Sequence, residues 1–181
     1  GRAAKKLERA KMTRPSRVCS WVHFAALLAL RCSSVGVSGT GPAGSQAPVV
    51  SGAAGGIGQQ LCLWLATRYQ MRLTLIGRSA LSQRERDLCS KIRAAGSEVR
   101  WLSIDLARSD AAERLNNAQV GEVDALFHLA GTTGSDAMTV KRDGLLALEH
   151  LKARHVILFS SISAVIPSLA QGIEEYAAAN A

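Results

Sequence analysis

The four cysteines (Cys19, Cys32, Cys62 and Cys89) include no C-x-x-C pair, and the four histidines (His23, His128, His150 and His155) lack metal-ligand spacing. No structural metal is expected, and the thiols are expected to stay reduced, as in a cytoplasmic compartment. A bilayer span needs about 20 consecutive apolar residues. The apolar run at 21–30 is too short, so no stable membrane span is expected. Acidic residues are nearly missing from the first 47 positions, which hold Glu8 against eight Lys or Arg. Residues 48–181 carry fourteen basic and thirteen acidic side chains, so nearly all of the net charge of +8 belongs to the N-terminal stretch. A basic, aromatic-poor tail offers charge to phosphate without the groups that read bases, and no nucleic-acid partner is expected.

Within residues 1–47 a basic run at 2–17 leads into the apolar run, and the small residues Ser33, Ser34 and Gly36 follow. Counted from Met12, this is the order of an organelle-targeting or signal peptide; an amphipathic helix is the other reading. Residues 35–47, rich in Gly, Ser and Pro, read as a linker. The remainder, 48–181, is long enough for one well-buried domain.

From position 48 short apolar runs alternate with helical periodicity. Strands are expected at 49–51, 73–76, 99–104, 125–129 and 156–159. The glycine-rich turn at 52–58 opens a helix with Ile57, Leu61 and Leu65 on one face. Further helices are expected at 82–95, with Leu88, Ile92 and Ala95 at core spacing, and at 109–117 and 141–152. Strict alternation predicts an α/β, Rossmann-like, doubly wound parallel sheet, which binds ligands beyond the carboxyl ends of its strands.

The distinctive residues lie at those ends. Gly52, Gly55, Gly56 and Gly58 follow the first strand, where glycine lets a backbone approach a pyrophosphate at a helix N-terminus. Arg78 follows the second strand, where a free ribose hydroxyl would call for an acid. A guanidinium there suits a 2′-phosphate, which points to NADPH rather than NADH; a plain surface arginine is the other reading. Asp105 closes the third strand, either to accept from an adenine amino group or simply to cap a turn. Ala130 and Gly131 close the fourth with small residues that let a cofactor lie against the backbone.

Taken together, the segments 51–58, 77–79, Asp105, 128–131, 141–144, 159–161 and 176–180 resemble the ketoreductase domain of modular polyketide synthases, within the short-chain dehydrogenase/reductase superfamily. The resemblance covers 48–181 in one register and implies a sheet that is C-terminally truncated. Its most specific part is Tyr176 followed four residues later by Asn180, where ordinary short-chain reductases have lysine. The resemblance implies a cofactor set of Gly52, Gly55, Gly56, Ile57, Gly58, Arg78, Ser79, Asp105, Leu106, Ala130 and Gly131. It also implies a catalytic set in which Tyr176 donates a proton, Ser161 holds the carbonyl oxygen, Lys141 orients the ribose and lowers the tyrosine pKa, and Asn180 completes a relay. NADPH would then reduce a β-ketoacyl thioester carried by an acyl carrier protein inside a multidomain synthase of polyketide or fatty acid biosynthesis. A free-standing reductase and a non-catalytic nucleotide-binding scaffold are the alternatives. Neither the Leu-Asp-Asp nor the tryptophan fingerprint of product configuration is present.

Overall fold

The computed structural model describes residues 48–120 and 123–181. The targeting, helix and linker readings of residues 1–47 lie outside the described residues. Five parallel strands, β1 (Val49–Ser51), β2 (Arg72–Gly77), β3 (Glu98–Ser103), β4 (Ala125–His128) and β5 (His155–Leu158), form one sheet in the order β3-β2-β1-β4-β5. Helices α1 (Gly56–Tyr69), α2 (Gln83–Ala94), α3 (Ala111–Asn117) and α4 (Gly144–Leu148) lie between successive strands in the chain, and α5 (Glu174–Ala179) follows β5. This is the Rossmann-like architecture that the alternation predicts.

β1 is three residues long and wholly buried, because it pairs on both sides: Val50 sits opposite Leu75 of β2 and Phe127 of β4. The two-residue period of the strands sorts the core into two layers. Val49, Ile76, Leu102 and Leu126 pack with Leu115 of α3 and Leu148 of α4. Val50, Leu73, Leu75 and Phe127 pack with Leu61 and Leu65 of α1 and Leu88 and Ile92 of α2. Each such side chain, fully buried, contributes about 1.5–3 kcal/mol. Strand order reverses at β1, which leaves a crevice at the carboxyl ends of β1 and β4.

Local signals set the helix starts. Ser82 precedes α2, and its backbone N–H donates to Glu85 Oε2 at 2.9 Å, so a carboxylate satisfies an amide that the helix itself cannot. Two helical expectations are corrected. Ile57 is 48% exposed. The buried stripe of α1 runs instead through Gly58, Leu61, Cys62, Leu65 and Ala66, because Gly58 packs against the Gly52 carbonyl and sets the rotation of the helix. The helix expected to begin at Lys141 begins earlier. Ala137 N–H donates to the Gly134 carbonyl and Val140 N–H to that of Asp136, so helical turns precede Lys141. The helix widens into a π turn over Thr139–Asp143, resumes as α4, and ends in a 3-10 turn at Glu149–Leu151.

Candidate cofactor cleft and catalytic residues

The turn after β1 is built on backbone contact. Gly52 has φ of +72°, and its N–H donates to the Ile76 carbonyl at 3.0 Å. A Cβ added there would stand 2.6 Å from the Ala130 nitrogen and 2.7 Å from the Leu129 carbonyl carbon. The chain after β4 therefore lies directly on this turn, and only glycine fits. α1 begins after Gly55 with no side-chain cap and no acidic residue in its first turn. Its positive end is left uncovered, which favours an anion.

A cavity of about 290 Å³ opens at the carboxyl ends of the strands. Eight residues of the expected cofactor set line it: Gly52 and Gly55, Arg78 and Ser79 after β2, Asp105 and Leu106 after β3, Ala130 and Gly131 after β4. Gly56, Ile57 and Gly58 are not among its lining residues and make the first turn of α1. Arg78 is mostly exposed, with a guanidinium nitrogen 4.0 Å from Asp136 Oδ2. Asp105 Oδ1 accepts from the Ala107 N–H at 3.1 Å, which is the turn-capping use of that carboxylate. Trp101, not singled out from the sequence, adds an aromatic wall. Its ring lies over Gly77, where an added Cβ would come within 2.5 Å, and its Nε1–H donates to the Ser79 carbonyl at 3.3 Å.

Of the expected catalytic residues, Lys141 and Asn180 bond to the segment 159–161, which contains Ser161, while Tyr176 is linked to it through its own backbone carbonyl and Asn180. Lys141 Nζ donates to the Phe159 carbonyl at 2.6 Å, and burial lowers the lysine pKa from its ordinary value. Ser160 Oγ donates to the Asn180 carbonyl at 2.6 Å, tying the end of α5 to the end of β5. Ser161 caps the short turn Ile162–Ala164: its Oγ lies 2.8 Å from Ser163 Oγ and accepts from the Ser163 N–H at 3.3 Å. Asn180 is buried, and its Nδ2 donates to the Tyr176 carbonyl at 2.7 Å rather than to the phenol. The lysine, the serine and the tyrosine helix are thus joined through one stretch of backbone.

Two residues behind Lys141, both within segments that carry the resemblance, were assigned no role from the sequence. His128 is 1% exposed; its Nδ1 lies 2.7 Å from Ser51 Oγ and its Nε2 3.0 Å from the Lys141 carbonyl oxygen. Burial first, and the Lys141 charge second, push the imidazole pKa down to about 4, so it is neutral near pH 7. The available signal was a pair of polar residues closing otherwise apolar strands. It gained meaning only once β1 and β4 were known to be neighbours with Ser51 opposite His128.

The family model for the KR domain matches residues 47–181. The chain belongs to the KR, or ketoreductase, domain family. Among relatives of this KR chain, the polyketide synthase GfsB of Streptomyces halstedii is 32% identical over 152 residues, covering 74% of this chain and 3% of its own length. The polyketide synthase PksN of Bacillus subtilis is 29% identical over 153 residues, covering 74% and 3%. Among solved structures, A-type ketoreductases from a modular polyketide synthase superpose with a TM-score of 0.65 at 29% identity, covering 79% of this chain and 34% of theirs. An N-terminal ketoreductase from the macrolactin assembly line shares the fold with a TM-score of 0.66 at 24% identity, covering 75% and 32%. The KR chain therefore spans a small part of the synthases it matches and about a third of these ketoreductase structures. Among the described residues no helix is long and apolar enough to cross a membrane.

Proposed function

We propose that this KR chain carries the nucleotide cleft and catalytic groups of an NADPH-dependent ketoreductase that acts on a β-ketoacyl thioester held by an acyl carrier protein. Membership of the KR family supports reduction of a ketone, and the synthase relatives support a multidomain setting with residues 48–181 as the reductase unit. The observation that carries the catalytic part is the 2.6 Å hydrogen bond from Lys141 to the Phe159 carbonyl. It puts a cation at the start of the serine turn, in a chain whose position 180 is asparagine.

The cleft fits a nicotinamide dinucleotide. The Gly52 turn has no room for a Cβ, the α1 N-terminus is uncapped, and Gly131 adds no side chain beside Lys141. When bound, the reduced nicotinamide supplies hydride to the carbonyl carbon. The remaining steps belong to the protein. The glycine turn would hold the pyrophosphate on backbone N–H groups, and Arg78 would grip a 2′-phosphate with two parallel hydrogen bonds in place of its exposed pairing with Asp136. Ser161 would donate to the carbonyl oxygen where negative charge develops. Tyr176 would pass a proton to that oxygen. A free phenol titrates near pH 10, so a neighbouring cation is needed to make the transfer efficient at neutral pH, and Lys141 is the candidate. Asn180, bonded to the Tyr176 carbonyl, would hold the tyrosine's helix end against Ser160.

Oxidation of NADPH followed at its absorbance maximum, with a soluble β-ketoacyl thioester as substrate, tests this reading. Tyr176→Phe should lower turnover by about a hundredfold or more, the range that general acid catalysis contributes, while NADPH still binds. Unchanged turnover in the variant would refute the assignment. NADPH binding with no oxidation in the unmodified protein would favour the scaffold alternative.

A further inference from the structure

We infer that His128 is the positioning residue for Lys141: held by Ser51 as a neutral imidazole, it fixes the π turn that aims the lysine ammonium at the Phe159 carbonyl. This rests on the reading of Lys141 as the cation of the ketoreductase site. Ser51 and His128 are direct register partners at the ends of β1 and β4, and both are buried. The Lys141 carbonyl can only accept, so the hydrogen at the 3.0 Å contact must sit on Nε2. Nδ1 is then the acceptor, and Ser51 Oγ donates to it across 2.7 Å. One tautomer satisfies every polar atom of the buried ring.

That tautomer acts on the helix. Gly144 N–H reaches back to the Thr139 carbonyl, the five-residue step of a π turn, as well as to that of Lys141. His128 adds a side-chain donor to the Lys141 carbonyl, an interaction that an isolated helix could not supply. Gly144 also lets the ring lie close: a Cβ there would stand 3.6 Å from His128 Cε1 and 3.1 Å from Leu106 Cβ. With the carbonyl of Lys141 anchored behind the helix, its side chain runs forward past Gly131, where an added Cβ would meet Lys141 Cε at 3.6 Å, to Phe159. A charged imidazole would reverse its bond with Ser51, whose hydroxyl would then accept, and would repel Lys141. The lowered pKa of His128 agrees with the neutral form.

Two substitutions separate the bonds. In His128→Asn the amide oxygen can replace Nδ1 as acceptor for Ser51 but the side chain falls short of Lys141. In His128→Gln the amide NH2 reaches the place of Nε2 and can donate to the Lys141 carbonyl. Competitive acetylation of the whole chain between about pH 7 and 11, read by mass spectrometry, gives the titration midpoint and limiting rate of Lys141. The exposed Lys91 and Lys152 serve as rate references. In His128→Asn the limiting rate of Lys141 should rise about fivefold, the population change that one net hydrogen bond makes, and its midpoint should move up toward the ordinary lysine value. His128→Gln should stay near the parent. Lys141 behaving as in the parent in a folded His128→Asn, or equal perturbation in both variants, overturns the inference. If His128→Asn does not fold, Ser51→Ala decides: a smaller shift in the same direction supports the inference and an unchanged Lys141 overturns it. The labelling reads no turnover, so its failure is distinct from failure of the ketoreductase reading, which NADPH oxidation decides.

Discussion

Gly52→Ala loads the turn on which the cleft is built. The new methyl would stand 2.6 Å from the Ala130 nitrogen and 2.8 Å from Ala130 Cα, whereas non-bonded carbon atoms are comfortable at about 3.5–4.0 Å. Both neighbours are backbone, so relief requires moving the chain after β4 by nearly 1 Å, an overpacking cost of about 1–3 kcal/mol. The φ of +72° adds about 1–2 kcal/mol for any side chain in the left-handed region. The sum, roughly 2–5 kcal/mol, is a large fraction of a typical domain stability of about 5–15 kcal/mol. At about 3 °C per kcal/mol for a domain of this size, Tm should fall by roughly 10 °C. Gly56→Ala is the control, because an added Cβ there meets nothing within 4 Å and the residue opens α1. Its Tm should be unchanged or slightly raised. If the open space at Gly56 is where a pyrophosphate lies, the same variant should bind NADPH more weakly although fully folded. Scanning calorimetry and an NADPH fluorescence titration on both variants make the comparison. Equal Tm values for Gly52→Ala and Gly56→Ala would refute the close-approach reasoning.

Arg78→Ala should raise Kd for NADPH by roughly 10- to 100-fold, the loss of charge-assisted hydrogen bonds, and leave NADH nearly unaffected. Its Tm should not change, because the pairing with Asp136 is exposed and contributes little. His128, with its folded pKa depressed to about 4, contributes stability that is present above the unfolded histidine value near pH 6.5 and is lost as pH falls through about 4. Urea unfolding at several pH values should show this loss, and His128→Gln should flatten it. Burial raises the Cys62 thiol to about 12, so its contribution is present below about pH 9 and is lost as pH climbs toward 12. Native protein should accordingly leave Cys62 unalkylated at pH 8 by mass spectrometry, and denaturant should expose it.

Much of this architecture is a local property of the sequence. Short apolar runs such as Val49 and Val50, the core spacing of Leu88 and Ile92, and the glycines after β1 each act within a few residues. They are legible as elements and as a phosphate-type turn without knowledge of what lies opposite. The Tyr176 and Asn180 spacing was likewise the most specific part of the resemblance to ketoreductases. Register and contacts between distant segments are different, because hydrophobic periodicity states which face is buried but not against what. The rotation of α1 that exposes Ile57 follows from Gly58 meeting the Gly52 carbonyl. The π turn around Lys141, its 2.6 Å reach to Phe159 and the His128 link to Ser51, 77 residues away, exist only because β1, β4 and β5 lie side by side. Sequence determined the order of elements and the family. The sheet alone decided which backbone carbonyl each cation and imidazole would face, since parallel pairing brings together residues that no local pattern connects.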